Sequence, residues 1–203
     1  MKTRIAVLVS GGGTNLQALI DAQGRGEIPD GEIVLVVSNN PDAYALERAA
    51  KAGIPSAVCR REKGAPRAKF EARLLAILAE NRIDMLILAG FMAILSADFV
   101  SHYPERIINV HPSLIPSFCG EGFYGLRVHR AALDYGVKVT GATVHYVNEI
   151  PDGGRIIAQK AVDIQPEDTP ETLQRRVMVQ AEWILLPRAA EEVARKINSD
   201  LSG

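Results

Sequence analysis

The stretch Asn109-Val-His111-Pro-Ser-Leu114 sets a carboxamide and an imidazole two residues apart, after the apolar pair Ile107-Ile108 and just before Pro112. In an extended chain, side chains at i and i+2 stand on one face, so Asn109 and His111 point together into one site. A carboxamide hydrogen-bonds a carbonyl oxygen, and an imidazole moves a proton near neutral pH. That pairing suits acyl-type transfer. A second candidate is Ser10-Gly11-Gly12-Gly13-Thr14-Asn15, which joins an apolar run to a helical pattern. Glycines let backbone N–H groups close on an anion, and a helix N-terminus adds positive potential. Two readings fit: a phosphate site with Ser10, Thr14 and Asn15 as polar side chains, or a tight strand–helix turn without a ligand. Three successive glycines exceed what a turn needs and favour the phosphate. No Lys follows them and the spacing is not G-x-G-x-x-G, so ATP and dinucleotide chemistry are poorly supported.

Three further segments carry weaker signals. Ala89-Gly90-Phe91-Met92-Ala93-Ile94-Leu95 follows an apolar strand. It reads as core packing, above all at Ile94 and Leu95, or as an apolar lip for a planar ligand. Asp152-Gly153-Gly154 is ordinary turn chemistry. Beside His111, however, its carboxylate would favour imidazolium and raise the histidine pKa. Of the other histidines, His102 marks a helix end, His129 reads as a helix-surface residue, and His145 as structural or supporting. Arg60-Arg61-Glu62-Lys63 reads as a solvated loop.

The elements that position these groups follow from periodicity. Residues 4–9, 32–38, 56–59, 84–89 and 106–110 are short apolar runs of the kind buried parallel strands show. Between them, residues 15–25, 43–52, 68–81 and 96–102 carry helical patterns. This alternation predicts an α/β fold: an open, mostly parallel twisted sheet, Rossmann-like, with helices on both faces. Residues 112–126 read as a long loop and 128–135 as a short helix. Residues 137–147 and 155–164 read as an antiparallel extension near the C-terminus. Thr169-Pro170 opens a last helix as N-cap and first residue, which Pro187 should kink or break.

Composition narrows the class. The 203 residues are 47% hydrophobic and 23% charged, with a formal net charge of −1. That fits one globular domain over 1–203 with a sizeable core. It offers no basic field for nucleic acid. Two cysteines, Cys59 and Cys119, are too few for a disulfide framework, which points to a reduced, cytoplasmic setting. The N-terminal apolar run stops at Ser10 and leads into glycines rather than a cleavage site. No apolar run approaches the length of a membrane span.

Taken together, Ser10-Gly-Gly-Gly-Thr-Asn15-Leu16-Gln17, Ala89-Gly-Phe-Met92, Asn109-Val-His111-Pro-Ser-Leu-Ile-Pro116, Thr143-Val-His145-Tyr-Val147 and Asp152-Gly-Gly154 resemble the phosphoribosylglycinamide formyltransferases. The resemblance covers nearly the whole chain. It implies transfer of a formyl group from 10-formyltetrahydrofolate, a cosubstrate, to the amine of glycinamide ribonucleotide, in de novo purine biosynthesis. It makes Asn109, His111 and Asp152 the catalytic triad. Gly12, Gly13, Thr14 and Asn15 would hold the nucleotide, with Glu182 near its ribose. Arg67, Met92, Ala93, Ile94, Leu95, Asn109, Asn148 and Asp152 would line the folate site. No metal is implied, and the partners are small molecules, with the chain a monomer or homodimer.

The halves would divide as a nucleotide-binding part, 1–110, and a folate-loop and C-terminal part, 111–203. Two departures stand out: Ala93 where many members carry Arg, and the loop Ser117–Gly125 in place of a short Pro-Gly link. A formyltetrahydrofolate hydrolase would use the same triad with water, but normally adds an N-terminal regulatory domain, for which a first strand at residue 4 leaves no room. A methionyl-tRNA formyltransferase would need a tRNA-binding domain and a basic surface.

Overall fold

The computed structural model describes residues 2–62 and 64–200. Met1 and Lys63, the last residue of the basic loop, lie outside the described residues. In chain order the elements are β1 (Thr3–Val9), α1 (Thr14–Gly24), β2 (Gly31–Ser38), α2 (Tyr44–Lys51), β3 (Ser56–Val58), α3 (Arg67–Glu80) and β4 (Met85–Leu88). They continue with α4 (Ala97–Ser101), β5 (Ile107–His111), α5 (Leu126–Tyr135), β6 (Val139–Tyr146), β7 (Ile156–Asp163), α6 (Pro170–Val177) and α7 (Trp183–Asp200). A π-helical segment, Met178–Glu182, joins α6 to α7.

The strands form one seven-stranded sheet in the order β3-β2-β1-β4-β5-β6-β7. β1 to β5 pair in parallel, and β6 runs antiparallel to both its neighbours. The central strands β1, β4 and β5 are buried on both faces, which is why they read as continuous apolar runs. Ile5, Val7 and Val9 of β1 face a core shared with Leu16 and Leu19 of α1 and Leu186, Ala190 and Val193 of α7. Ala6 and Leu8 face the opposite core, with Phe70, Leu74 and Leu78 of α3 and Phe99 of α4. The winding reverses between β1 and β4, and ligands in open α/β sheets bind at such a reversal, outside the carboxyl ends of the strands. Those ends lead into the glycine loop, the Ala89–Leu95 segment and the Asn109–His111 pair.

Two local devices fix that edge. Ser96 caps α4, accepting from the Phe99 N–H, while the buried Glu71 carboxylate accepts from the Ser96 N–H at 2.8 Å and from its hydroxyl at 2.6 Å. This ties the segment after β4 to α3. Gly13, at the N-cap of α1, has φ +71°, and a Cβ there would stand 2.7 Å from Cβ of Ala45. Left-handed backbone costs an L-residue roughly 1–2 kcal/mol before any clash. Gly13→Ala is therefore expected to destabilise the fold by about 2 kcal/mol or more and to weaken binding at this loop. Urea unfolding together with nucleotide titration checks both.

The final helix departs from expectation. Pro187 lies inside α7 and does not end it. The irregularity sits one turn earlier, in the π segment, where the hydrogen-bond ladder changes spacing before the proline is reached; such bulges are a recognised way to bend a helix without breaking it. Thr169 caps α6 with Pro170 at its first position, as expected, and Thr172 completes a capping box with it.

Candidate active site

Asn109 and His111 leave β5 beside one another and border a cavity of about 600 Å³. β6 pairs with β5 so that His145 lies directly opposite Asn109. Cross-strand partners on an antiparallel ladder sit within side-chain reach, and Asn109 Nδ2 is 3.2 Å from His145 Nε2. The turn between β6 and β7 supplies the carboxylate. Asp152 adopts φ +56° there, a conformation Asp tolerates better than most residues. Gly154 packs so closely that a Cβ would lie 1.7 Å from the Tyr146 carbonyl oxygen, and the turn therefore folds back over β6. Asp152 Oδ2 stands 3.4 Å from His111 Nδ1, and its Oδ1 lies 3.5 Å from His145 Nε2 and 3.4 Å from Asn109 Nδ2.

The hydrogen-bond partners fix the ring protons. His145 Nδ1 faces the Tyr146 carbonyl at 2.8 Å, a group that only accepts, so Nδ1 carries the proton. In the neutral ring, Nε2 then accepts from Asn109, whose NH₂ group also reaches toward Asp152. His111 Nε2 donates to the Phe118 carbonyl at 2.9 Å, while Gly120 N–H donates to Asp152 Oδ2 at 2.9 Å. The Ser117–Gly125 loop thus reaches the triad through two backbone groups. Burial pushes the His111 pKa down; the Asp152 charge and the Phe118 carbonyl pull the other way without reversing it. The carboxylate does raise the His111 pKa as expected, but the ring sits too deep for that one charge to offset desolvation, and the net shift is downward. Burial pushes the Asp152 carboxyl up, but His145, His111 and the Gly120 N–H together outweigh it and hold the group below the usual carboxylate range.

Across the cavity lies the glycine loop. The Gly11 carbonyl accepts from Ala45 N–H at 3.1 Å and the Gly12 carbonyl from Arg48 Nε at 2.8 Å, so both oxygens are engaged by α2. An anion-binding loop needs its carbonyl oxygens held away from the anion. Gly12, Gly13, Thr14 and Asn15 all line the cavity.

Residues 3–189 match the family model described as "Formyl transferase". The chain is 41% identical over 177 residues to the phosphoribosylglycinamide formyltransferase of Haemophilus influenzae, covering 87% of this chain and 81% of that protein. The chain belongs to the phosphoribosylglycinamide formyltransferase family. It also superposes on glycinamide ribonucleotide transformylase 1 from Symbiobacterium toebii with a TM-score of 0.89 at 39% identity, over 96% of this chain and 89% of that one. Its match to the trifunctional purine biosynthetic protein adenosine-3 of Drosophila melanogaster, 44% identical over 189 residues, covers 93% of this chain but 14% of the relative. The chain thus spans a small fraction of that relative's length.

Most of the expected site residues converge in this chain. Met92, Ala93 and Ile94 form a lip of the cavity, with Met92 and Ile94 each 55% exposed. The Met92 N–H donates to Ser10 Oγ at 2.8 Å, which joins the lip to the glycine loop. Three expected contacts do not line the cavity. Leu95 is buried in the α3–α4 core. Arg67, at the start of α3, lies 3.8 Å from Glu71. Asn148 uses Oδ1 to accept from the Ile150 N–H and so shapes the turn. Among the described residues no three His, Cys, Asp or Glu side chains converge as metal ligands would, and no helix is long and apolar enough to cross a membrane.

Two wall residues carry unusual chemistry. Glu182, in the π segment, accepts from Asn15 Nδ2 at 2.8 Å, and burial raises its pKa to about 7 against that hydrogen bond. A carboxyl with a raised folded pKa contributes stability below the unfolded value near 4.5, and loses it as pH rises through about 7. Glu182→Gln, which keeps an acceptor for Asn15, is therefore expected to raise Tm at pH 8 by about 5 °C and to change it little at pH 5. Calorimetry at the two pH values checks the crossing. His129, read from sequence as a surface residue, is fully buried on α5 and lines the same cavity, with burial lowering its pKa to about 4. The overlooked signal is spacing: Val128 with Ala132 and His129 with Leu133 fall at i and i+4, which sets His129 beside the buried face of α5. Gln174 and Met178 line this wall as well, at the same helical spacing as Glu182.

Proposed function

We propose that this chain transfers the formyl group of 10-formyltetrahydrofolate to the amine of glycinamide ribonucleotide, releasing formylglycinamide ribonucleotide and tetrahydrofolate. One observation carries the reading. A glycine loop suited to phosphate and an Asn-His-Asp cluster suited to acyl chemistry face the same cavity. The loop accounts for a phosphorylated acceptor, and the exposed Met92–Ile94 lip fits the flat apolar ring of a folate. The folate, when bound, supplies an activated formyl carbon. Ala93 brings no side-chain charge to that lip, so any polar contact there falls to its backbone.

Charge develops on the formyl oxygen as the amine adds. Asn109 Nδ2, held by His145 Nε2, donates to that charge with the N–H that otherwise makes the long 3.4 Å contact to Asp152 Oδ1. His111 Nε2–H, once released by the Phe118 carbonyl, assists the same oxygen and delivers a proton toward the departing nitrogen. Asp152 Oδ2 faces Nδ1 of His111, the nitrogen without a proton while Nε2 donates to Phe118, and favours the charged ring when a proton arrives there. The nucleotide site draws on both halves of the chain, because Glu182 and Asn15 meet in one wall. The assay that tests the reading mixes purified protein with 10-formyltetrahydrofolate, with and without glycinamide ribonucleotide. Folate product that depends on the nucleotide supports the transferase. Equal rates without it favour the hydrolase.

A further inference from the structure

Among the described residues, five buried side-chain polar atoms lack a hydrogen-bond partner, and three of them belong to Asn15 and His129, both in the cavity wall. A buried polar atom without a partner costs more than an apolar one in its place, so two such residues in one wall point to a ligand that supplies the missing bonds. Asn15 Oδ1 seeks a donor. His129 is fully buried with both ring nitrogens unpartnered, and as a neutral imidazole it presents one N–H donor or one lone pair once the ring turns toward the cavity.

We propose that His129 is a further substrate-binding residue, which hydrogen-bonds the carboxamide of the acceptor's glycinamide arm. This rests on the acceptor named above. Three observations select that group. His129 remains neutral because burial holds its pKa near 4, so it does not suit the phosphate, which the glycine loop already accommodates. A neutral imidazole can bond a secondary amide in either sense, its N–H to the C=O or its lone pair to the N–H. The charge of His111 is among the influences that lower the His129 pKa, and both residues line the same cavity, which puts His129 toward its reacting end. The carboxamide of glycinamide is one methylene from the amine that must reach the formyl carbon. A bond from His129 would fix that amine's approach.

The test compares equilibrium binding of glycinamide ribonucleotide and of ribose 5-phosphate, which lacks the amide, to the full chain. Wild type is expected to bind the nucleotide more tightly. His129→Leu is expected to weaken the nucleotide about five- to tenfold, the loss of one neutral hydrogen bond, and to leave ribose 5-phosphate unchanged. Its Tm should hold or rise, since two unpartnered polar atoms leave the interior. A ring that served only the fold would lower Tm instead. His129→Asn, which restores a donor and an acceptor, should recover part of the loss and provides the reading if the Leu variant does not fold. Unchanged nucleotide binding in His129→Leu, or an equal loss for both ligands, would overturn the proposal alone. A wild type that binds both ligands equally would overturn the acceptor assignment with it.

Discussion

His111→Ala is expected to lower kcat by at least about a hundredfold while the protein stays folded. The imidazole is the one group at the end of β5 able to exchange a proton near neutral pH, and its Nδ1 stands 3.4 Å from the Asp152 carboxylate. Alanine keeps the backbone of the strand and its pairing with β6 but leaves no group at that spot to protonate the departing nitrogen. Asn109 and its partners remain, so binding energy is largely retained and the loss falls on kcat rather than on KM for either substrate. Steady-state rates of tetrahydrofolate formation, with circular dichroism to verify the fold, provide the measurement. Turnover within threefold of wild type would remove His111 from the chemistry.

Asp152→Asn is expected to cost roughly 10²- to 10⁴-fold in kcat/KM and to change its pH dependence as well. The carboxylate faces two imidazoles, accepts from the Gly120 N–H at 2.9 Å and lies 3.4 Å from the Asn109 amide. A carboxamide has one acceptor where the carboxylate has two, so either the loop contact or the Asn109 contact is lost. His111 is already pushed down by burial, and Asp152 is the strongest influence opposing that. Without the charge, imidazolium forms only at lower pH, and the limb of the kcat/KM profile that follows His111 moves to more acid values. An unshifted profile with activity within tenfold of wild type would show that the carboxylate does not set the state of His111.

The sequence made some of this arrangement readable and hid the rest for physical reasons. Strands such as residues 4–9 stand out because both faces of a parallel sheet are buried, which leaves little room for polar residues. The Asn109–His111 pair is readable because a strand alternates its faces without regard to what surrounds it. His129 shares a helix face with Val128 and Ala132, but between Arg127 and Arg130 that spacing does not say whether the face meets solvent or the cavity; packing, a tertiary fact, decides it. The direction of the His111 shift depends on depth, which no motif records. The lip residues were recognised but not their division, since Leu95 falls into the α3–α4 core while Ile94 stays exposed. Phe118 and Gly120 were invisible as site members because they contribute a carbonyl and an N–H, and every residue but proline has both.

That last point bears on how the loop after Pro116 can change over evolutionary time. Main-chain atoms persist through any replacement that leaves the turn intact. Selection on residues 117–125 therefore weighs the path and length of the segment far more than the identity of its side chains. Lineages can exchange Cys119 or Phe123 with little consequence for the triad, whereas a one-residue deletion would shift both contacts at once. A comparison of related enzymes should accordingly find this stretch variable in composition and sharply stepped in length.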